Sequence, residues 1–329
     1  MSKTILTVLL LLLATGLRAQ LVEYAYFDAK GSFHGTWENQ KFGTRLTADN
    51  MNFHLKGHFT PNLHYRLRQR FTKPLYDPKY PLNCTDILTL TWDINPKWTL
   101  EAGKFPVFIG GYEWAAAPID IYYHSEFSET MPMVYALGGR GYFNLNDKQT
   151  FRFEVSQSVL ADGHADVWSG ALGWKGQFAN WWKTLWSINL IDDYYRHLMT
   201  YVALGNRFEL GPAALEVDSI YRRSLKQKHA GIDLSLIGRF TYTVGRCVLS
   251  AKGGYDVNAA GNVDPDGVPY DLTVAPGTSY LWISGGVEYF PLKNDDIRIH
   301  AIAMTDNRNK AVTFKTGLTI RLYIKKPVQ

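Results

Sequence analysis

The chain has 329 residues, a formal net charge of +5 and 20% charged residues, and its mean hydropathy is below zero. That balance excludes a helical membrane protein, and the charge is too mild and too scattered along the chain for a nucleic-acid binder. Aromatic residues make up 14%, with 10 Trp and 20 Tyr, a content suited to two interfacial girdles on a β-barrel whose strands meet lipid on one face only.

Met1 to Ala19 sets Lys3 ahead of an apolar run from Ile5 to Leu13 and closes on Leu17-Arg18-Ala19. This is the layout of a secretory signal over 1–19, so the mature chain is expected to begin at Gln20. Loss of Lys3 and Arg18 leaves a mature charge of +3. The run is too short to cross a hydrocarbon core of about 30 Å, and no later stretch supplies the roughly 18 apolar residues of a membrane helix.

Residues 20–329 read as strands and turns. Strands are expected at 31–38, 45–59, 63–73, 84–94, 98–105, 132–145, 150–159, 166–178, 183–191, 198–210, 214–223, 230–243, 247–257, 279–290, 296–304 and 311–325. The fold class is therefore all-β: a transmembrane antiparallel β-barrel of about 16 strands. Short Pro-, Gly- and Asn-rich turns such as Thr60-Pro61-Asn62, Asn95-Pro96-Lys97 and Gly211-Pro212-Ala213 alternate with longer loops, the longest near 106–131 and 258–278. That rhythm, with both termini at the short-turn rim, is the bacterial outer-membrane pattern.

The clearest strand is the third. Leu63, Tyr65, Leu67 and Phe71 fall on one parity, and His64, Arg66, Arg68 and Arg70 on the other. On a soluble sheet such a column of cations would repel itself for no gain. Facing water through which anions pass, with the apolar side in lipid, it has a use. A three-residue loop at Thr60-Pro61-Asn62 would set Phe59 opposite Leu63, His58 opposite His64, Lys56 opposite Arg66 and His54 opposite Arg68. Candidate pore-lining, anion-binding residues are thus His54, Lys56, His58, His64, Arg66, Arg68 and Arg70, with Arg140 and Arg152 on later strands. Pairing of these cations with Asp93, Glu101, Glu154, Glu216 and Glu288 for stability is the plainer alternative, compatible with the first.

Other segments alternate in the same way. Tyr135, Leu137 and Phe143 oppose Arg140, Tyr142 and Asn144; Ile232, Leu234, Leu236, Phe240 and Tyr242 oppose Asp233, Ser235, Arg239 and Thr241. In the last strand Leu318, Ile320, Leu322 and Ile324 oppose Thr319, Arg321 and Lys325. Cys84 falls near the external rim and Cys247 just after a short turn, so no disulfide is expected although the compartment permits one.

Catalysis competes as a class. His124-Ser125 and Asp192-Asp193…His197 are the nearest approaches to a barrel lipase or protease, but adjacent His and Ser on a strand point apart, and His197 lacks an obvious serine. A metal on His54, His58 and His64 would be repelled by the neighbouring Lys and Arg, so neither metal nor cofactor is expected.

The leader, the basic ladder and the segment GKFPVFIGGYEW at 103–114 together resemble the phosphate-selective porin O and P family, in a form suited to Bacteroidetes-type bacteria. The resemblance implies an outer-membrane barrel, often trimeric, whose arginine-lined pore passes phosphate or other small anions by passive diffusion. It also implies a third external loop that folds inward. Counted here, that loop is 106–131, with Gly110, Gly111, Tyr112, Glu113, Trp114 and Asp120 at the constriction. The loops of general porins have a similar flavour, and Tyr112, Trp114, Tyr122 and Tyr123 would equally suit a general or sugar-permeable porin. Glu113, Asp120, Glu126 and Glu129 on this loop would face the basic wall and dilute anion selectivity. The chain departs from the family in ending Tyr323-Ile324-Lys325-Lys326-Pro327-Val328-Gln329, without a terminal aromatic.

Overall fold

Backbone pairing in this chain is satisfied around a ring. The structure, a computed structural model, describes residues 21–38, 40–74, 82–131, 134–162, 164, 166–227 and 233–326, so the expected signal segment lies outside the described residues. These form β1 (Val22–Glu38), β2 (Lys41–Thr60), β3 (Leu63–Arg70), β4 (Thr85–Asn95), β5 (Trp98–Pro106), β6 (Tyr135–Asn146), β7 (Gln149–Gln157) and β8 (Trp168–Ala179). Then follow β9 (Trp182–Asp192), β10 (Leu198–Leu210), β11 (Ala213–Ser224), β12 (Leu234–Val244), β13 (Cys247–Val257), β14 (Ser279–Tyr289), β15 (Ile297–Asp306) and β16 (Val312–Lys325). Each strand pairs antiparallel with the next, and β1 closes on β16. Closure leaves the sheet no edge, so the main-chain polar groups are paired within the wall, the condition for spanning hydrocarbon.

The wall is apolar outside and polar inside. Leu88, Leu90 and Trp92 of β4, Ile188 and Leu190 of β9, Leu281 and Ile283 of β14, and Leu322 and Ile324 of β16 are exposed, while Thr89, Ser187, Asn189, Ser284 and Thr319 are buried. A water-soluble sheet has the reverse distribution. No helix among the described residues is long and apolar enough to cross a membrane, which says nothing of a β-barrel, and the strands here run 8–20 residues.

Several details differ from expectation. The first hairpin has the expected partners His58↔His64, Lys56↔Arg66 and His54↔Arg68, but Thr60 rather than Phe59 faces Leu63. Phe59 is the extra residue of a bulge, which shortens the turn to Pro61-Asn62. The first strand begins at Val22 rather than residue 31, because Asp28 and Lys30 are buried inward-facing charges that mask the alternation of 22–30. Tyr135, assigned to the lipid side, lies over Arg68 inside the barrel, its ring centroid 4.8 Å from the guanidinium carbon. As the first residue of β6 it is not yet held to the pleat.

Cys84 and Cys247 are not joined by a disulfide. They sit just before β4 and at the start of β13, strands that are not neighbours. The mass of the denatured monomer is therefore expected to be the same before and after reduction; a two-hydrogen gain on reduction would contradict the strand map.

One side of the external half of the lumen is filled. Val107, Ile109, Phe127 and Met131 from the β5–β6 connection pack with Leu160, Tyr201, Ile220 and Val274 in a buried apolar cluster. This core lies within the barrel, and it keeps open water to the opposite side.

Candidate functional site: the lumen and its loop

The connection leaving β5 runs inside the barrel over 107–131, first against β9–β11. Gly110 N donates to Ser187 Oγ at 2.7 Å and Gly111 N to Leu185 O at 3.1 Å. A Cβ on Gly110 would fall 2.8 Å from the carbonyl oxygens of Leu185 and Ala203, and Gly111 has φ 114°, so both positions require glycine. Next, Tyr112 N and Glu113 N each donate to the Asp218 carboxylate at 2.8 Å, at the start of a short helix, Tyr112–Ala115.

The chain then follows the wall formed by β13–β16 and β1, where lysines and one arginine hold its carbonyls. Lys30 Nζ donates to Ile119 O (3.2 Å) and Ile121 O (2.7 Å), Lys315 Nζ to Tyr122 O (2.6 Å), and Lys252 Nζ to Tyr123 O (2.8 Å). Arg298 donates to Ile119 O at 2.8 Å and pairs with Asp120 at 2.9 Å. The loop acids expected to face the basic ladder thus point largely elsewhere: Glu113 pairs with Lys252 at 2.5 Å and Glu126 with Arg308 at 3.1 Å.

Ser125 Oγ donates to Glu113 at 2.5 Å and accepts from Ser128 N, capping a second short helix, Glu126–Thr130. Burial alone would raise the Glu113 pKa, but Lys252, His124 and the Ser125 hydrogen bonds outweigh it and hold the carboxyl at about 2. A depressed carboxylate adds stability that is fully present above its unfolded value near 4.5 and is lost as pH falls through about 2. The Glu113 anchor is therefore expected to hold from pH 7 to about pH 4 and to loosen below about pH 3. An opening already complete at pH 5, seen in single-channel records, would contradict this anchor.

With the loop pinned to one side, a cavity of about 970 Å³ lies along the other. Arg66, Arg68 and Arg70 line it, as does Arg152; Lys175, Arg207, Arg239 and Arg298, cations not singled out from the sequence, line it too. Lys175, Arg207 and Arg239 are each the one cation of their strand, and Arg298 has only His300 beside it, so no long column betrayed them. Of the proposed loop residues, Tyr112, Glu113, Trp114 and Asp120 border the cavity, while Gly110 and Gly111 form the seam against the wall.

The basic ladder divides by partner. Arg68 and Arg70 share Asp86, at 3.2 and 2.8 Å, and Arg68 also donates to the Tyr135 hydroxyl. His54 Nε2 lies 3.1 Å from Asp28, its ring stacked on Tyr26. Lys56 pairs with Glu23 at 2.8 Å and His64 with Asp93 at 3.0 Å, and the rings of His58 and His64 are 6.3 Å apart. Arg140 sits between Glu101 (2.7 Å) and Glu154 (3.8 Å), and Arg152 pairs with Glu154 at 2.6 Å. Glu216 takes Arg207, and Glu288 takes Arg298 at 3.1 Å. Among the described residues, Arg66 and Lys175 have no ion-pair partner. Nor do the described residues bring three or more His, Cys, Asp or Glu together to hold a metal. His197 lies between Asp193 (3.2 Å) and Asp264 (3.1 Å), tying two external connections together.

No protein-family model matches this sequence, and no curated protein does. Solved structures resemble it in fold. OmpT, an outer membrane protein of Vibrio cholerae, is 11% identical over 91% of this chain and 97% of its own, with a TM-score of 0.61. The outer membrane channel DcaP of Acinetobacter baumannii is 12% identical over 91% and 96%, at 0.62. A mutant of the Rh. blastica porin is 9% identical over 91% and 100%, at 0.55.

Proposed function

We propose that this chain is an outer-membrane porin through which small anionic solutes diffuse passively. One observation carries the reading: a large cavity inside a closed barrel, lined by many cations, two of them, Arg66 and Lys175, without ion-pair partners among the described residues, while its carboxylates are paired. Uncompensated positive charge in a low-dielectric tube raises the local anion concentration and depresses that of cations. The proposal includes export behind a cleaved signal, insertion in outer-membrane lipid and assembly as a homotrimer, with no catalytic machinery. Phosphate is among the anions the arginine fork suits.

The aromatic loop residues speak less strongly for sugars. Tyr122 donates to Glu288 at 2.5 Å and carries Lys30 over its ring, and Lys315 lies over Tyr123. Only Tyr112 and Trp114 of that group have no such partner and border the passage. Reversal potential across a planar bilayer under a potassium chloride gradient tests the proposal. Anion selectivity is expected; cation selectivity, or no conductance, overturns it.

A further inference from the structure

One stretch of the loop surface that borders the cavity, 114–118, is apolar. Trp114, Ala115, Ala116, Ala117 and Pro118 border the same cavity as the arginines of β3, and Ala115 and Ala117 are exposed in it. Trp114 cannot offer its one polar atom, since Nε1 already donates to Val107 O at 2.8 Å. The loop carboxylates on either side are ion-paired, Glu113 with Lys252 and Asp120 with Arg298. Beyond them Phe108 lies under Arg152, 4.5 Å from its guanidinium carbon, and Ile87 and Val134 line the same cavity. The passage therefore has a cationic side and a greasy side.

Such a surface fits a particular chemistry. A strongly hydrated inorganic anion gains from the cations but finds no free side-chain donor on 114–118 to replace its water, the loop's donors at the cavity being confined to Tyr112, His124 and Ser128. A carboxylate with an apolar body gains from both sides at once, its oxygens on a guanidinium and its hydrocarbon against the alanine–proline segment. We infer that the preferred solutes of this channel are amphipathic organic anions, carboxylates bearing an aromatic or aliphatic body, rather than inorganic phosphate. This rests on the anion-channel reading and refines it.

The experiment measures block of chloride current through the purified full-length protein in planar bilayers, with sodium benzoate, sodium acetate and sodium phosphate as probes. Covering half of a benzoate ring, on the order of 60 Å² of apolar surface, predicts half-block at about tenfold lower concentration than with acetate. Phosphate is expected to need at least as much as acetate. The double variant Ala115→Asn with Ala117→Asn, which adds polar groups to the loop face, should bring benzoate and acetate together. Equal block by benzoate and acetate in an anion-selective wild-type channel overturns the inference and leaves the porin reading standing, as does a variant that keeps the tenfold difference. Cation selectivity in the wild type overturns both.

Discussion

Replacing Asp218 with alanine releases the start of the lumen loop and raises single-channel conductance. The carboxylate is buried on β11 and accepts from two successive backbone N–H groups, those of Tyr112 and Glu113, each at 2.8 Å. Alanine leaves both donors without an acceptor where the loop is pressed against the wall, and each unpaired buried donor costs about 1–3 kcal/mol. Gly110 and Gly111 cannot compensate by moving closer, because Gly205 already faces Gly111 and the carbonyls of Leu185 and Ala203 face Gly110. Residues 110–114 then leave β9–β11, while Lys30, Lys315 and Arg298 still hold 119–122. The expected record is a larger and noisier open level, with Asp218→Asn in between because its amide keeps one acceptor oxygen. Wild-type conductance in Asp218→Ala would show that the latch is not here.

The register of the β2–β3 hairpin was legible because a tight turn fixes pairing locally and the two columns of cations differ sharply from their neighbours. The bulge at Phe59 was not, since an inserted residue changes no composition. The lipid-facing parity of β12 and β16 could be read residue by residue; Tyr135 could not, as a strand's first residue obeys the pleat only loosely. Of the acids named as partners for the β2–β3 cations, Asp93 takes His64, whereas Glu101 and Glu154 take Arg140 and Arg152, and Glu216 and Glu288 take Arg207 and Arg298. Asp86 and Asp28, which hold Arg68, Arg70 and His54, were missed because only the folded register brings them alongside. The anchors of the loop are harder still. Lys30 and Ile121 are 91 positions apart, and Lys315 and Tyr122 193 apart; a single lysine on a strand carries no mark that a distant carbonyl will sit on it. From sequence alone the acids of the loop and the cations of β3 looked like opposing walls. The intervening lysines of β1, β13 and β16 decide otherwise.

Those partnerships also separate the arginines by what their loss should do. Arg68→Gln removes a buried guanidinium from Asp86 and from the Tyr135 hydroxyl. Breaking a buried pair costs about 3–5 kcal/mol, and Arg70, still 2.8 Å from Asp86, softens that toward the lower end. The variant should unfold at lower denaturant and change selectivity little, since Asp86 loses half of its compensation as the lumen loses a charge. Arg66→Gln removes an exposed cation with no carboxylate partner, so stability should hold while selectivity falls. One unit charge about 4 Å from a permeating ion in a watery lumen is worth roughly 1 kcal/mol, about fivefold in local anion population. The fall should be clear at low salt and fade at 1 M, where the screening length is about 3 Å. Reversal potentials for Arg66→Gln at low and high salt, beside denaturant midpoints for both variants, decide the matter. If Arg66→Gln kept its low-salt selectivity while Arg68→Gln lost it, the charge governing permeation would be the paired one, and the role given to the unpaired cation would be wrong.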